Sequence, residues 1–114
     1  MKKTDKKIEN TLRESLTEVC DAAQESVLGF KWLTHRVDYR QFPQSLKVIC
    51  VFDSEDDREK ALLAKDDVYM RMLIQDKLAK YGIKLSYLER HVRFDSEEAC
   101  LHEHNGRWVE RLGR

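Results

Sequence analysis

A chain of 114 residues is the size of one ordinary domain. Its 41% hydrophobic residues argue against a disordered chain, in spite of a charged fraction of 37%. The 21 basic and 21 acidic side chains cancel to a formal charge of zero, which excludes a histone-like polycation. No apolar run approaches the roughly 18 residues that a membrane span needs.

The basic start, Lys2-Lys3 and Lys6-Lys7, leads into no apolar signal core. Cys20, Cys50 and Cys100 stand far apart with no CxxC pair. Both features point to a soluble, cytoplasmic protein whose thiols serve as small buried hydrophobes.

The first predicted element is a helix from about Lys6 to Ser26. Ile8, Leu12, Leu16, Val19, Cys20, Ala23 and Val27 recur at spacings of three and four as one apolar stripe. Thr4 or Asp5 can cap the start, and Gly29 is a natural stop. Phe30 to Tyr39 is rich in aromatic and β-branched residues and predicts a strand. Pro43, the only proline, sets a loop over Arg40–Ser45. Leu46 to Phe52 has six apolar residues of seven, the pattern of a central strand covered on both faces. These two strands should pair as an antiparallel hairpin.

Asp53-Ser54-Glu55-Asp56-Asp57 ends that strand and opens a helix, with Ser54 and Asp57 at capping-box spacing. The helical pattern runs to about Tyr81, with Ala61, Leu62, Leu63, Met70, Leu73, Ile74 and Leu78 on its apolar face. Lys65-Asp66-Asp67 interrupts it, which allows two helices with Asp66 or Asp67 as the second cap. Gly82 ends it. A third strand is predicted over Tyr87–Phe94, where Leu88, Arg90, Val92 and Phe94 alternate with Glu89, His91 and Arg93. Asp95-Ser96-Glu97-Glu98 opens a last helix that ends near His104. Trp108, Val109 and Leu112 then make a short helical turn that docks back on the core. Val51-Phe52-Asp53-Ser54-Glu55 is echoed by Arg93-Phe94-Asp95-Ser96-Glu97, one strand-to-helix solution used twice. The order α-β-β-α-β-α predicts an α+β fold: a single two-layer domain over residues 1–114, with helices covering a small three-stranded sheet.

Three constellations bear on catalysis or metal binding. Asp53, Glu55, Asp56 and Asp57 lie at the carboxyl end of a buried strand, a place where carboxylates hold Mg²⁺. Asp38 and Asp95, at the ends of the other strands, would have to converge there. Helix capping accounts for the same acids without a metal. Cys100 and His104 are four apart and share a helix face, which suits Zn²⁺, but a closed site needs two more ligands, such as His91 or Cys20. Cys50 sits in an apolar strand where a thiol stays protonated, and His35 is the imidazole that would face it across the hairpin. No phosphate loop or nucleophile elbow occurs. No catalytic residue, metal or cofactor is therefore expected. Asp53, Asp57, Cys100 and His104 are the residues that would serve a metal, and a metal-dependent enzyme around Asp53 is the third reading.

The fourth constellation is charge segregation beneath the zero total. Between Phe30 and Phe52, Lys31, Arg36, Arg40 and Lys47 face only Asp38. Between Arg71 and Phe94, Arg71, Lys77, Lys80, Lys84, Arg90 and Arg93 face Asp76 and Glu89, while Asp53–Met70 is acidic. Trp32, Tyr39, Phe42 and Tyr87 interleave with these cations. Basic groups beside exposed aromatics suit single-stranded nucleic acid, through phosphate neutralisation and stacking. An α+β sheet with one open face is a common RNA platform.

The segments Phe30-Lys31-Trp32-Leu33-Thr34-His35, Val37-Asp38-Tyr39, Phe42-Pro43-Gln44-Ser45-Leu46 and Val51-Phe52-Asp53, with Glu98-Ala99-Cys100 and Glu103-His104-Asn105-Gly106, carry a resemblance. Over nearly the whole chain they resemble a family of small uncharacterised bacterial proteins that often bear the label "Fis-family transcriptional regulator". The label implies a DNA-linked regulator, and the family implies no catalytic residues. Fis itself is all-helical, with a basic C-terminal helix-turn-helix. Here the middle is β-rich, and no two helices with a short turn and a basic recognition face can be drawn in Glu97–Arg114. No Fis residue is carried over.

The expected function is that of a non-enzymatic binding or regulatory protein. It would take nucleic acid on a basic and aromatic hairpin surface formed by Lys31, Trp32, Arg36, Arg40, Arg90 and Arg93. The alternative is a protein–protein adaptor or homodimer using the same hairpin edge. No membrane partner is expected.

Overall fold

The stripe on the first helix meets its partner layer as its spacing demands. In a computed structural model that describes residues 2–113, helix α1 (Lys3–Ser26) buries Leu12, Leu16, Val19 and Ala23. The helix starts earlier than the stripe suggests, at Lys3, with Lys2 as a cap that makes no side-chain bond. Asp5 lies in the first turn, where its charge suits the helix dipole.

Strands β1 (Phe30–Arg36) and β2 (Lys47–Phe52) form the antiparallel hairpin, and β3 (Val92–Ser96) joins β2 in parallel. The order across the sheet is β1-β2-β3. β1 stops short of Tyr39 because Asp38 turns the chain. The Ser45 hydroxyl donates to the Asp38 carbonyl at 2.7 Å, and the Asp38 carboxylate accepts from the Arg40 N–H at 3.0 Å. Tyr39–Gln41 forms a 3-10 turn instead. Every residue of β2 from Val48 to Phe52 is buried. Val48, Cys50 and Phe52 join the main hydrophobic core, while Ile49 and Val51, at the alternate positions, face the other side.

The crossover between β2 and β3 is two helices, α2 (Glu55–Leu63) and α3 (Asp66–Lys80), broken at Lys65 with φ of 62°. Lys65 occupies the cap position, and Asp66 and Asp67 fall in the first turn. Met70, Ile74 and Leu78 of α3 are buried in the core, but Leu63, expected there, is 85% exposed at the end of α2. Gly82, with φ of 84°, closes α3. The Ile83 N–H donates to the Leu78 carbonyl and the Gly82 N–H to the Ala79 carbonyl, both at 2.9 Å. Across the helix layer, the Glu18 carboxylate of α1 accepts from the Tyr81 hydroxyl at 2.5 Å and pairs with Lys77 and Lys80.

The third strand is shorter than predicted. Tyr87 takes a left-handed conformation and Leu88–His91 forms a helical turn, α4, so the ladder begins only at Val92. Leu88 packs against the core, and the buried His91 donates from Nδ1 to the Leu46 carbonyl at 2.7 Å. A spacing of three, not alternation, governs that segment.

Helix α5 (Glu97–His104) and the single turn α6 (Trp108–Arg111) complete the chain. They are the predicted last helix and short helical turn, joined by Asn105–Arg107. The second is one turn long and docks on the sheet through Trp108, too short to lie in a DNA groove. All three cysteines are free; Cys50 and Cys100 are buried and Cys20 is half-buried. Among the described residues, no helix is long and apolar enough to cross a membrane.

Candidate nucleic-acid interface

Pairing register decides which basic residues share a surface. Arg36 stands opposite Lys47, Thr34 opposite Ile49, and Ile49 opposite Arg93. These are the positions that point away from α1 and α3. Arg36, Lys47 and Arg93 therefore ring the buried Ile49 in a cleft of about 450 Å³, walled by Val37, Asp38, Ser45 and Leu112. The Arg40 N–H and side chain hold the Asp38 carboxyl at its rim below the usual range.

Lys47 also belongs to a second cleft. Its Nζ donates to the Arg90 carbonyl at 2.6 Å. Around it lie Lys84, Arg90, His91, Tyr87 and the Pro43–Gln44 loop, lining about 580 Å³ with no carboxylate. The Arg90 guanidinium sits 5.2 Å from the Tyr87 ring centroid, and Tyr87 is 73% exposed. Because the Leu46 carbonyl can only accept, His91 Nδ1 carries a proton.

Among the described residues, none of Arg36, Lys47, Lys84, Arg90 and Arg93 is paired with a carboxylate. Arg58, Lys60, Arg71, Lys77, Lys80 and Arg111 all are. Lys6, Lys7, Arg13 and Lys65 on the helical side also lack such a partner among the described residues; what sets this tract apart is that its five cations line two clefts that share Lys47.

The other residues expected at the interface line neither of these two clefts. Lys31 is exposed, but it is the extra residue of the bulge between Phe30 and Trp32 and lines neither cleft. Arg40 pairs with Asp38 on the 3-10 turn and faces the start of α1. Trp32 is half-buried against Trp108. Tyr39 donates its hydroxyl to Glu9 at 2.5 Å, and Phe42 packs on the core. Hence Tyr87 is the exposed aromatic of the four. Lys47 and Lys84 are visible as charges in the sequence but not as members of the site. The signal for Lys47 is that it is the one charged residue in Leu46–Phe52, directly opposite Arg36 once the hairpin register is known.

The metal candidates are engaged otherwise. Among the described residues, no group of three His, Cys, Asp or Glu side chains comes together to hold an ion. The echoed pentapeptides lie side by side, Val51 opposite Asp95 and Phe52 opposite Ser96. Ser54 caps α2 by accepting from the Asp57 N–H, and Ser96 caps α5 by accepting from the Ala99 N–H, both at 3.0 Å. The caps are braced together: Ser96 donates to Glu55 at 2.7 Å, and Glu98 accepts from the Glu55 N–H at 2.8 Å. Asp53 is exposed, and its carbonyl accepts from the Glu98 N–H. Asp38 lies at the opposite end of the sheet from Asp53 and cannot converge with it.

Asp95 binds Arg111 through both oxygens at 2.7 and 2.8 Å. Burial pushes its carboxyl up, but Arg111 and the Ser96 N–H outweigh this and hold it below the usual range. His104 Nδ1 accepts from Arg111 at 3.2 Å, and burial raises the Cys100 thiol. Burial likewise pushes the Cys50 thiol up to about 12. His35 is paired across the hairpin with Val48, not Cys50, and its Nε2 meets Glu9 at 2.9 Å.

Comparison with family models, with curated proteins and with solved structures finds no match.

Proposed function

We propose that this protein is a non-enzymatic nucleic-acid-binding protein that holds a phosphate backbone along the tract Arg36–Lys47–Arg93 and Lys84–Arg90. The observation that carries the reading is the convergence, around Lys47, of five cations with no carboxylate partner among the described residues. Phosphate neutralisation by such a tract supplies affinity without base readout. Tyr87, exposed and backed by Arg90, offers a stacking platform beside it.

The test is fluorescence-anisotropy binding of short single-stranded RNA, single-stranded DNA and duplex DNA at low and physiological salt. Lys47→Glu with Arg90→Glu is expected to lower affinity at least tenfold. It should also reduce the slope of log K against log salt by about one for each phosphate no longer neutralised. Lys65→Glu, on the helical side between α2 and α3, serves as the control and changes binding little. Equal binding by the wild type and the double variant would overturn the assignment.

A different observation supports a protein partner as the second reading. Val68 and Met72, 48% and 55% exposed, share one face of α3, and Leu63 is exposed at the end of α2. That surface is a further place for self-association or an adaptor contact, besides the hairpin edge. Mass that rises with concentration in the wild type but not in Met72→Glu is the expected outcome by light scattering.

A further inference from the structure

Two clefts on the second face of the sheet adjoin, and they differ in chemistry. One is the cationic cleft of Arg36, Lys47 and Arg93. The other, also about 450 Å³, is walled by Trp32, Thr34, Trp108, Val109 and Gly113, and it shares Arg36 and Leu112 with the first.

The aromatic walls are held in place before any ligand arrives. The rings of Trp32 and Trp108 meet edge to face, with centroids 4.9 Å apart and planes at 80°. Each indole N–H donates to a different oxygen of Glu97, at 3.1 and 2.8 Å. That carboxylate ties the two rings together and does not line the cleft. Arg36 is fixed as well: its guanidinium donates to the carbonyls of Leu112 and Gly113. Those acceptors are neutral, so they orient the cation without cancelling its charge. Val109, among the cleft's lining residues, is 77% exposed.

We infer that the Trp32–Trp108 cleft takes a nucleobase of a single-stranded nucleic acid whose phosphate lies among Arg36, Lys47 and Arg93. The inference rests on the nucleic-acid reading above and adds the strand type and the place of a base. A base brings an apolar π-face to an indole and to the Val109 methyls, and it carries its own phosphate to the neighbouring cations. Bases in a duplex are already stacked and paired, so the arrangement selects single strands. With both indole N–H groups held by Glu97, Arg36 and the Thr34 hydroxyl are the polar side-chain groups left to a ligand among the described wall residues. Discrimination among bases is accordingly weak.

The chain has two tryptophans and both line this cleft, so intrinsic fluorescence reports on it directly. The full chain is titrated with a short single-stranded DNA and with an abasic strand of the same length and charge, at one salt concentration. The base-bearing strand is expected to bind roughly tenfold tighter and to quench the fluorescence. Val109→Glu, at an exposed position that leaves the indole packing intact, should abolish that difference while the abasic strand still binds. Equal affinity for the two strands with unchanged fluorescence overturns the inference and leaves the Lys47 tract standing. Failure of both strands to bind at low salt overturns the tract and the base cleft together.

Discussion

Single residues join the elements at points of close approach. Gly29 has φ of 84°, in the left-handed region. A Cβ built there would lie 2.7 Å from the Asp57 Cβ, and its carbonyl accepts from the Asp53 N–H at 3.1 Å. The exit of α1 is thereby clamped to the end of β2. Gly29→Ala is expected to lower stability by more than about 1 kcal/mol, from strain in φ and the steric clash together. Adding Asp57→Ala keeps the offending Cβ and should recover little. Adding Asp57→Gly removes the clash and should recover part. Urea denaturation of the three variants checks that order. At the same scale, Glu9 shows how the hairpin is pinned to α1. Burial pushes its carboxyl up, but the Tyr39 hydroxyl and the His35 ring outweigh this and hold it below the usual range, while Tyr39 is raised to about 12.

Among the elements, the braced caps of α2 and α5 explain why the acidic end of the sheet is structural. Two helix starts lie side by side at the carboxyl ends of β2 and β3, and the chain's own acids occupy them. Ser54→Ala and Ser96→Ala should each cost about 1 kcal/mol. Because Ser96 also donates to Glu55 of α2, the two effects should not add. A double-mutant cycle with a coupling under about 0.3 kcal/mol would mean that the caps act independently. The caps are legible from the Ser-x-x-Asp and Asp-Ser-Glu spacing, because capping is local. The helical turn Leu88–His91 is not, because its alternation of polar and apolar residues also fits a strand. The bond from His91 to the Leu46 carbonyl, 45 residues away, and the left-handed Tyr87 are what make it helical.

Across the molecule, the zero net charge hides a division of labour. On the helical layer, cations and carboxylates pair across α1 and α3. Glu18 is the centre of one such group, and hydrogen bonds from Tyr81 and Lys80 lower its carboxyl to about 2 from an ordinary 4.5. Glu55 and Asp95 are lowered as well. A lowered carboxyl binds its proton less readily in the folded state than in the unfolded one. Its contribution is therefore present above its unfolded value and lost as pH falls towards its folded value. The melting temperature should be level from neutrality to about pH 5 and fall below that. Glu18→Gln should be less stable at neutral pH and show a shallower decline between pH 4.5 and about 2. Melting curves across that range test both statements.

Local sequence was enough to specify the order of elements, the amphipathic α1, the both-sides-buried β2, the helix caps and the stop at Gly82. Each of these depends on residues within a few positions of one another. Composition also singled out Trp32, Arg36, Arg90 and Arg93 as candidates, because cations and aromatics are concentrated in two stretches. Which of them share a surface is decided by long-range packing. The hairpin register set Lys47 opposite Arg36, the parallel crossover brought Arg93 beside Ile49, and the β1 bulge turned Lys31 out of the group. Side chains on a sheet alternate between faces, so a shift of one residue in pairing moves every cation to the other side. That register is set by contacts between residues far apart in the chain, and local pattern does not contain it.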